Sequence, residues 1–336
     1  MDELRPATSA ALGRVVSVAR PGYQARLIAT IRRGLGDTVQ KWLPAALFYD
    51  DTGSELFEAI TRQPEYYPTR TEAALLTAHA AEVLALARPH RIVEFGSGSS
   101  AKTRLLFDAY PDKLGPRHYM PIDISESMLR HTADALITAY PGMSVQGLAG
   151  DYDEALAVLP RAADSLVLFL GSSLGNFRPD EQATFFTRLT NRMGSGSHLL
   201  LGIDRSDHGG KPVERIRRAY DDAAGVTAAF NLNMLRRLNR EFGANFDLAA
   251  WAHRAVYNAA ARQIEMHLVS RGPQTVTVTA LSTDFRFRRD DSIRTEISRK
   301  FSLARMTDWL RTFGFAAVRV WTDPAGLYGL LLLRRE

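Results

Sequence analysis

Glu94-Phe95-Gly96-Ser97-Gly98, Asp123 and Asp151 are the residues whose types and spacing carry chemistry most directly. An apolar strand ending in a glycine turn lets backbone approach a cofactor and faces it with a helix N-terminus. Asp123 closes a second apolar run, where a carboxylate can accept both hydroxyls of a ribose; Asp151 closes a third, where it can accept from an adenine amino group. Each feature has a plainer counterpart, since glycine pairs make ordinary turns and a single aspartate serves as a helix N-cap or loop residue. Three of them at successive strand ends point to a nucleotide pocket. A dinucleotide fingerprint stays open, because the third glycine position is Ala101 and alanine is tolerated there. No cluster with metal-ligand spacing stands out. The absence of cysteine removes disulfides, thiolate zinc sites, iron–sulfur clusters and cysteine nucleophiles.

These residues need a frame, and the order of apolar runs supplies one. Residues 90–95 read as a strand and 102–110 as a helix; the pattern recurs as 119–124 then 126–140, 145–149 then 153–159, 165–170 then 180–193, and ends at 198–203. Such alternation predicts a parallel sheet with helices on both faces, and Leu166-Val167-Leu168-Phe169-Leu170 fits a strand buried on both sides. After residue 203 the alternation breaks. Residues 212–242 read as long helical segments and 247–257 as a further amphipathic stretch. Strand-like runs at 263–269, 275–287 and 293–301 follow, separated by Arg271-Gly272-Pro273 and Asp290-Asp291. The tail reads as a helix at 303–313 stopped by Gly314, then strands at 317–321 and 328–333 around Asp323-Pro324-Ala325-Gly326. That terminal helix and strand pair resemble the closing hairpin of class I methyltransferases. In that fold S-adenosylmethionine lies over the same strand ends, and its sulfonium leaves as a neutral thioether. The reaction then needs only a neutral nucleophile held in line with the methyl group.

The expected fold class is therefore α/β, a class I (Rossmann-like) methyltransferase sheet with a second α+β substrate-binding domain. The cofactor domain is expected over 71–210 plus 301–336, and the substrate domain over 1–70 plus 211–300. With 46% hydrophobic and 24% charged residues the composition is that of a globular protein, and no apolar run approaches the roughly 20 residues that cross a bilayer. The N-terminus, Met1-Asp2-Glu3-Leu4-Arg5-Pro6, lacks the basic head and apolar core of a secretory signal, so a cytoplasmic protein is expected. A net charge of +5 raises the question of nucleic acid, but the arginines are scattered along helical faces rather than gathered in one block. Neither nucleic acid, nor a membrane, nor an obligate protein partner is expected.

Longer motifs narrow the reading. Phe48-Tyr49-Asp50-Asp51-Thr52-Gly53-Ser54-Glu55-Leu56-Phe57, Pro64-Glu65-Tyr66-Tyr67-Pro68-Thr69-Arg70-Thr71-Glu72 and the run Glu94 to Arg104 resemble the bacterial histidine Nα-methyltransferases, which make hercynine in ergothioneine biosynthesis. Leu170-Gly171-Ser172-Ser173-Leu174-Gly175-Asn176-Phe177, the run Tyr220 to Asn231, Thr295-Glu296-Ile297-Ser298 and Trp321-Thr322-Asp323-Pro324 continue the likeness over nearly the whole chain after its first few dozen residues. The resemblance implies transfer of three methyl groups, from three S-adenosylmethionine molecules, to the α-amine of L-histidine. It implies that Asn176 and Tyr220 clamp the substrate carboxylate, that Glu296 and Ser298 read the imidazole, and that Tyr66 and Tyr49 lie near the ring and the amine. One residue apart on a strand, Glu296 and Ser298 project from the same face and can address both ring nitrogens. The cofactor residues it implies are Gly96, Lys102, Asp123, Asp151 and Tyr152, the last standing where phenylalanine is more usual. From spacing alone Glu296 and Ser298 equally fit the wet face of an antiparallel strand, Asn176 a turn, Tyr220 and Tyr66 packing, and Lys102 a helix surface. Two other functions stay open: a methyltransferase of this fold acting on another amino acid, and a non-catalytic nucleotide-binding regulator.

Overall fold

The computed structural model describes residues 13–110, 116–206 and 212–336; the N-terminal Met1–Pro6 segment and the expected domain junction near residue 210 lie outside them. Strands β3 (Arg91–Phe95), β4 (His118–Asp123), β5 (Ser144–Ala149), β6 (Ser165–Phe169) and β7 (His198–Asp204) pair in parallel, in the order β5-β4-β3-β6-β7. The terminal strands β13 (Phe315–Thr322) and β14 (Tyr328–Arg335) form an antiparallel hairpin, with β14 lying antiparallel against β7. This order, parallel strands with a reversed one inserted before the last, is that of the class I methyltransferase sheet. β1 (Gly13–Ser17) extends it in parallel beside β5, so the first seventy residues do not all belong with the second layer.

Alternation places the core on both faces. On β6, Leu166 and Leu168 enter one apolar cluster while Val167 and Phe169 enter another, because successive side chains of a strand point to opposite faces. The helices covering these faces are α3 (Tyr67–Ala87), α4 (Arg104–Phe107), α5 (Glu126–Ala139), α6 (Tyr152–Val158), α7 (Pro179–Thr190) and α10 (Leu303–Arg311); α1 (Tyr23–Leu35) and α2 (Asp51–Thr61) precede them. Capping fixes several starts: Asp50, Ser125 and Ser302 each accept a backbone N–H of the first turn of α2, α5 and α10.

A third apolar cluster joins Ile31, Phe48 and Tyr66 from the N-terminal part to Phe230, Met266 and Ile293 from the region after residue 212. Its frame is a four-stranded sheet in the order β2-β12-β9-β8, from β2 (Lys41–Trp42), β8 (Trp251–Asn258), β9 (Gln263–Ser270) and β12 (Ser292–Arg299), with α8 (Val213–Ala219) and α9 (Val226–Phe242). β10 (Gln274–Val278) and β11 (Thr283–Phe287) form a separate hairpin inside the expected 275–287 run. The amphipathic stretch expected at 247–257 is largely strand, because the β-branched and aromatic residues of β8 find a partner in β9 along their whole length. Among the described residues no helix is long and apolar enough to cross a membrane.

Candidate active site

At the carboxyl end of β3 the chain turns through Gly96 (φ 71°) and Gly98 (φ 50°). A Cβ on Gly96 would lie 2.5 Å from the Tyr152 hydroxyl, so only glycine combines this left-handed backbone with the close approach. Asp123, ending β4, accepts from the Gly98 N–H at 2.9 Å and the Ser125 N–H at 3.0 Å; burial raises its carboxyl above the usual range and these bonds counter it. Asp151 after β5 is the N-cap of α6, accepting from Glu154 N–H at 2.7 Å in a reciprocal capping box. The Tyr152 ring meets Phe95, Phe169 and Phe177 edge-on with centroids 5.6–5.8 Å apart. Gly96, Asp123, Asp151 and Tyr152 thus converge at adjacent strand ends. The buried Ser97 hydroxyl in the turn has no hydrogen-bond partner. A positive-φ cradle, an unpartnered buried hydroxyl and two carboxylates with lone pairs to spare fit an adenosyl cofactor.

Two buried carboxylates brace this floor; both stand in the motifs quoted above, where neither had a role of its own. Glu94 accepts from Thr103 Oγ1 at 2.6 and 2.7 Å and from the Tyr119 hydroxyl, holding the turn from behind; burial pushes its carboxyl up to about 7. Glu72 on α3 is fully buried, pairs with the part-exposed Lys102, and accepts from Gly171 N–H at 2.9 Å and Tyr328 OH at 2.7 Å. Gly202 on β7 makes room for it, since a Cβ there would collide with Glu72 Oε1. Lys102 is therefore held at the floor by Glu72 rather than left on a helix surface. The glycine amid an otherwise Leu- and Ile-rich β7 was the available signal.

A second cluster gathers around β12. A bulge between Arg294 and Glu296 shifts the register against β9 and sets Glu296, Ser298 and Lys300 on one face. The segment Ser173–Asn176 after β6 rests directly on β12, where a Cβ on Gly175 would lie 2.7 Å from Arg299 O. There the Asn176 side chain lies beside Glu296, close enough to favour its charged form. Burial pushes the Glu296 carboxyl up to about 7, with Lys300 and Asn176 pulling the other way. Tyr220, at the end of α8, donates to Ser298 Oγ at 2.8 Å, and its ring meets Tyr66 edge-on at 6.0 Å. Its backbone carbonyl is held by His253 Nε2 at 2.8 Å, so that ring carries its proton on Nε2 and accepts from Asn231 Nδ2 at 2.9 Å on Nδ1. Beneath lies the fully buried pair Lys300–Asp204 at 2.9 Å, with Tyr67 OH donating to Asp204 at 2.7 Å.

The Ser173–Asn176 segment touches both groups, with a Cβ on Gly96 4.0 Å from Ser173 Oγ and one on Gly175 3.4 Å from Ser298 Oγ, and Tyr49 senses the charges of both. Burial first, then the nearby Glu296 and Tyr66 on one side and Tyr152 and Asp123 on the other, hold its phenol well above the usual value and hence protonated. All the expected site residues thus lie in two adjoining sets, with Asn176 beside Glu296 and Tyr220 bonded to Ser298. Among the described residues no group of three or more His, Asp or Glu side chains could hold a metal ion.

The reversed hairpin beside β7 and the glycine turn with its acidic strand ends define a class I, S-adenosylmethionine-dependent methyltransferase. More narrowly, residues 27–335 match the family of histidine-specific, S-adenosylmethionine-dependent methyltransferases, and the chain belongs to that family. Histidine N-alpha-methyltransferase of Mycolicibacterium smegmatis is 44% identical over 305 residues, covering 91% of this chain and 94% of that one. The ergothioneine biosynthesis protein 1 of Neurospora crassa is 32% identical over 88% of this chain, which spans 33% of that longer protein. A 4-dimethylallyltryptophan N-methyltransferase of Aspergillus fumigatus is 27% identical, covering 92% of this chain and 94% of that one.

Proposed function

We propose that this enzyme transfers three methyl groups in succession to the α-amine of L-histidine, giving the trimethylated betaine hercynine. The observation that carries this reading is that the Ser173–Asn176 segment reaches the Gly96 turn of the cofactor set at one end and Ser298 of the polar set at the other, with a Cβ on Gly96 4.0 Å from Ser173 Oγ and one on Gly175 3.4 Å from Ser298 Oγ. A nucleophile held between them lies near the cofactor, and its side chain faces acceptors and donors rather than an apolar wall.

When bound, the cofactor supplies an electrophilic methyl group on a positively charged sulfur. The chain's residues do the rest. Asp123 and Asp151 accept from the ribose and adenine, the Gly96 turn lets backbone approach, Tyr152 packs near the base, and Lys102 meets the cofactor carboxylate. Asn176 donates to the substrate carboxylate, Tyr220 stands beside it with its one hydroxyl hydrogen given to Ser298, Glu296 accepts from a ring N–H, Ser298 donates to the other ring nitrogen, and Tyr66 flanks the ring. Tyr49, protonated, offers its oxygen to the amine. Each transfer forms an N–C bond from the amine lone pair as the C–S bond breaks, so the amine must arrive without its proton. From an initial ammonium three protons leave, and the product is a permanent cation. Orientation supplies the acceleration.

The competing acceptor class is an aromatic amino acid, which the tryptophan-derived substrate named for the Aspergillus relative makes concrete. A polar pocket leaves Glu296 and Ser298 unpaired around a phenyl ring, and such a site can reject an analogue by as much as about 10⁴–10⁵, against roughly 10–200-fold for an apolar pocket sorting by size. Glu296→Ala should therefore lower kcat/KM for histidine far more than for phenylalanine and leave S-adenosylhomocysteine affinity nearly constant. A wild-type enzyme that methylates phenylalanine as well as histidine, or a variant that keeps the wild-type preference, overturns the histidine reading in favour of a general amino-acid methyltransferase.

A further inference from the structure

Lys300 has no part in the chemistry above, yet it lies fully buried under the residues that would hold the ring. Its ammonium has three hydrogens, and three oxygens take them: Asp204 Oδ2 at 2.9 Å, Ser298 Oγ at 3.0 Å and Tyr220 Oη at 3.1 Å. An ammonium cannot accept, so the direction of these bonds is fixed. Ser298 Oγ receives one hydrogen from Lys300 and a second from the Tyr220 hydroxyl at 2.8 Å. Both of its lone pairs are then filled. The hydroxyl hydrogen of Ser298 must point away from this cluster, as an obligatory donor.

We propose that Lys300 is a positioning residue that fixes the polarity of Ser298, so that the site reads an unprotonated ring nitrogen and selects the neutral imidazole. This rests on the assignment of Glu296 and Ser298 to the substrate ring. With Glu296 accepting from the one N–H and Ser298 donating to the other nitrogen, one neutral tautomer satisfies both. An imidazolium would set its second N–H against an O–H that cannot turn round, with the Lys300 charge behind it. Asp204 faces the ammonium at 2.9 Å, and the Tyr67 hydroxyl also donates to that carboxylate. The nearby ionisable groups are Glu296 and Lys300 from the β12 segment, Asp204 from β7, Tyr49 just before α2, Tyr67 and Tyr66 from the start of α3, and Tyr220 from α8.

Removing Lys300 alone would take a counter-charge from the buried Asp204, so the informative change is Lys300→Met with Asp204→Asn, which removes both charges. Freed from the ammonium, Ser298 can turn its hydrogen back to Tyr220 and present an acceptor. The readout is the ratio of kcat/KM for L-histidine to that for β-(2-thienyl)alanine, a five-membered ring without the two nitrogens. A merely structural role depresses both substrates alike and leaves the ratio. The ratio should fall by roughly tenfold to a hundredfold through a higher KM for histidine, the equivalent of one charge-supported hydrogen bond, with S-adenosylhomocysteine affinity unchanged. A second measurement uses the unaltered protein: ring-¹⁵N-labelled histidine bound beside S-adenosylhomocysteine at neutral pH should show one N–H nitrogen and one unprotonated, hydrogen-bonded nitrogen. Two protonated nitrogens, or a double variant with the wild-type ratio, overturns the role of Lys300. Failure of the wild-type protein to bind or methylate histidine overturns the substrate assignment instead.

Discussion

Replacing Glu296 by Gln should make the protein more stable at alkaline pH while impairing it as an enzyme. The carboxyl group is raised from 4.5 to about 7, with burial as the first cause and the Lys300 charge and the Asn176 amide opposing it. A folded value above the unfolded one means that the native state binds the proton more tightly. Stability is therefore complete below about pH 4.5 and declines as pH rises through about 7, after which the loss is constant. A displacement of that size corresponds to about 3 kcal/mol, forfeited by the wild-type protein at about pH 8 in keeping an ionised carboxylate ready for the ring. Glutamine keeps the size and an acceptor oxygen for Asn176 but has no charge to desolvate. Thermal unfolding of both proteins at about pH 8 and about pH 5 measures the difference. The variant should be ahead at the higher pH by an amount approaching that figure, and most of its lead should vanish at the lower one. Equal stabilities at both pH values, or a lead independent of pH, would refute the idea that Glu296 is a desolvated carboxylate.

Other perturbations probe the remaining parts. Asp123→Ala should weaken S-adenosylhomocysteine about tenfold to a hundredfold in a calorimetric titration, since it removes ribose bonds and unties the Gly98 and Ser125 amides; unchanged affinity would count against that role. Histamine, with ring and amine but no carboxylate, should be a very poor substrate, and turnover comparable to histidine would remove the role of Asn176 at the carboxylate. Gly202→Ala should cost about 1–3 kcal/mol by forcing Glu72 out of its slot, and should weaken cofactor binding as Lys102 loses its anchor; an unaltered melting temperature contradicts the packing described.

Much of the frame was legible because parallel strands buried on both faces write themselves as short apolar runs, and a ligand site at their carboxyl ends leaves glycine and aspartate at fixed places. Asp123 and Asp151 were readable for that reason, although Asp151 also fills the plainer role of helix cap. β8 was read as an amphipathic stretch because nothing local reveals that β9 lies beside it. The pairing of β1 with β5 joins residues more than a hundred positions apart and left no periodic trace. Glu296 and Ser298 were found through longer motifs, and the bulge that aims them arises from pairing with β9. The parts played by Glu72, Asp204 and Lys300 were invisible for a different reason. A charged residue on a helix or strand end reads as solvent-facing, and only tertiary structure shows each meeting its counter-charge in the interior. Their burial, which no local pattern encodes, is what holds Lys102, Ser298 and Tyr220 in place.

The most direct test is product analysis. Purified protein incubated with S-adenosylmethionine and L-histidine should yield, by mass spectrometry, mono-, di- and trimethylated histidine in turn, with fragmentation placing every methyl on the α-amine and the trimethyl form accumulating. Methyl groups on the ring, a series that stops at one addition, or no product from histidine while another free amino acid is methylated would contradict the assignment.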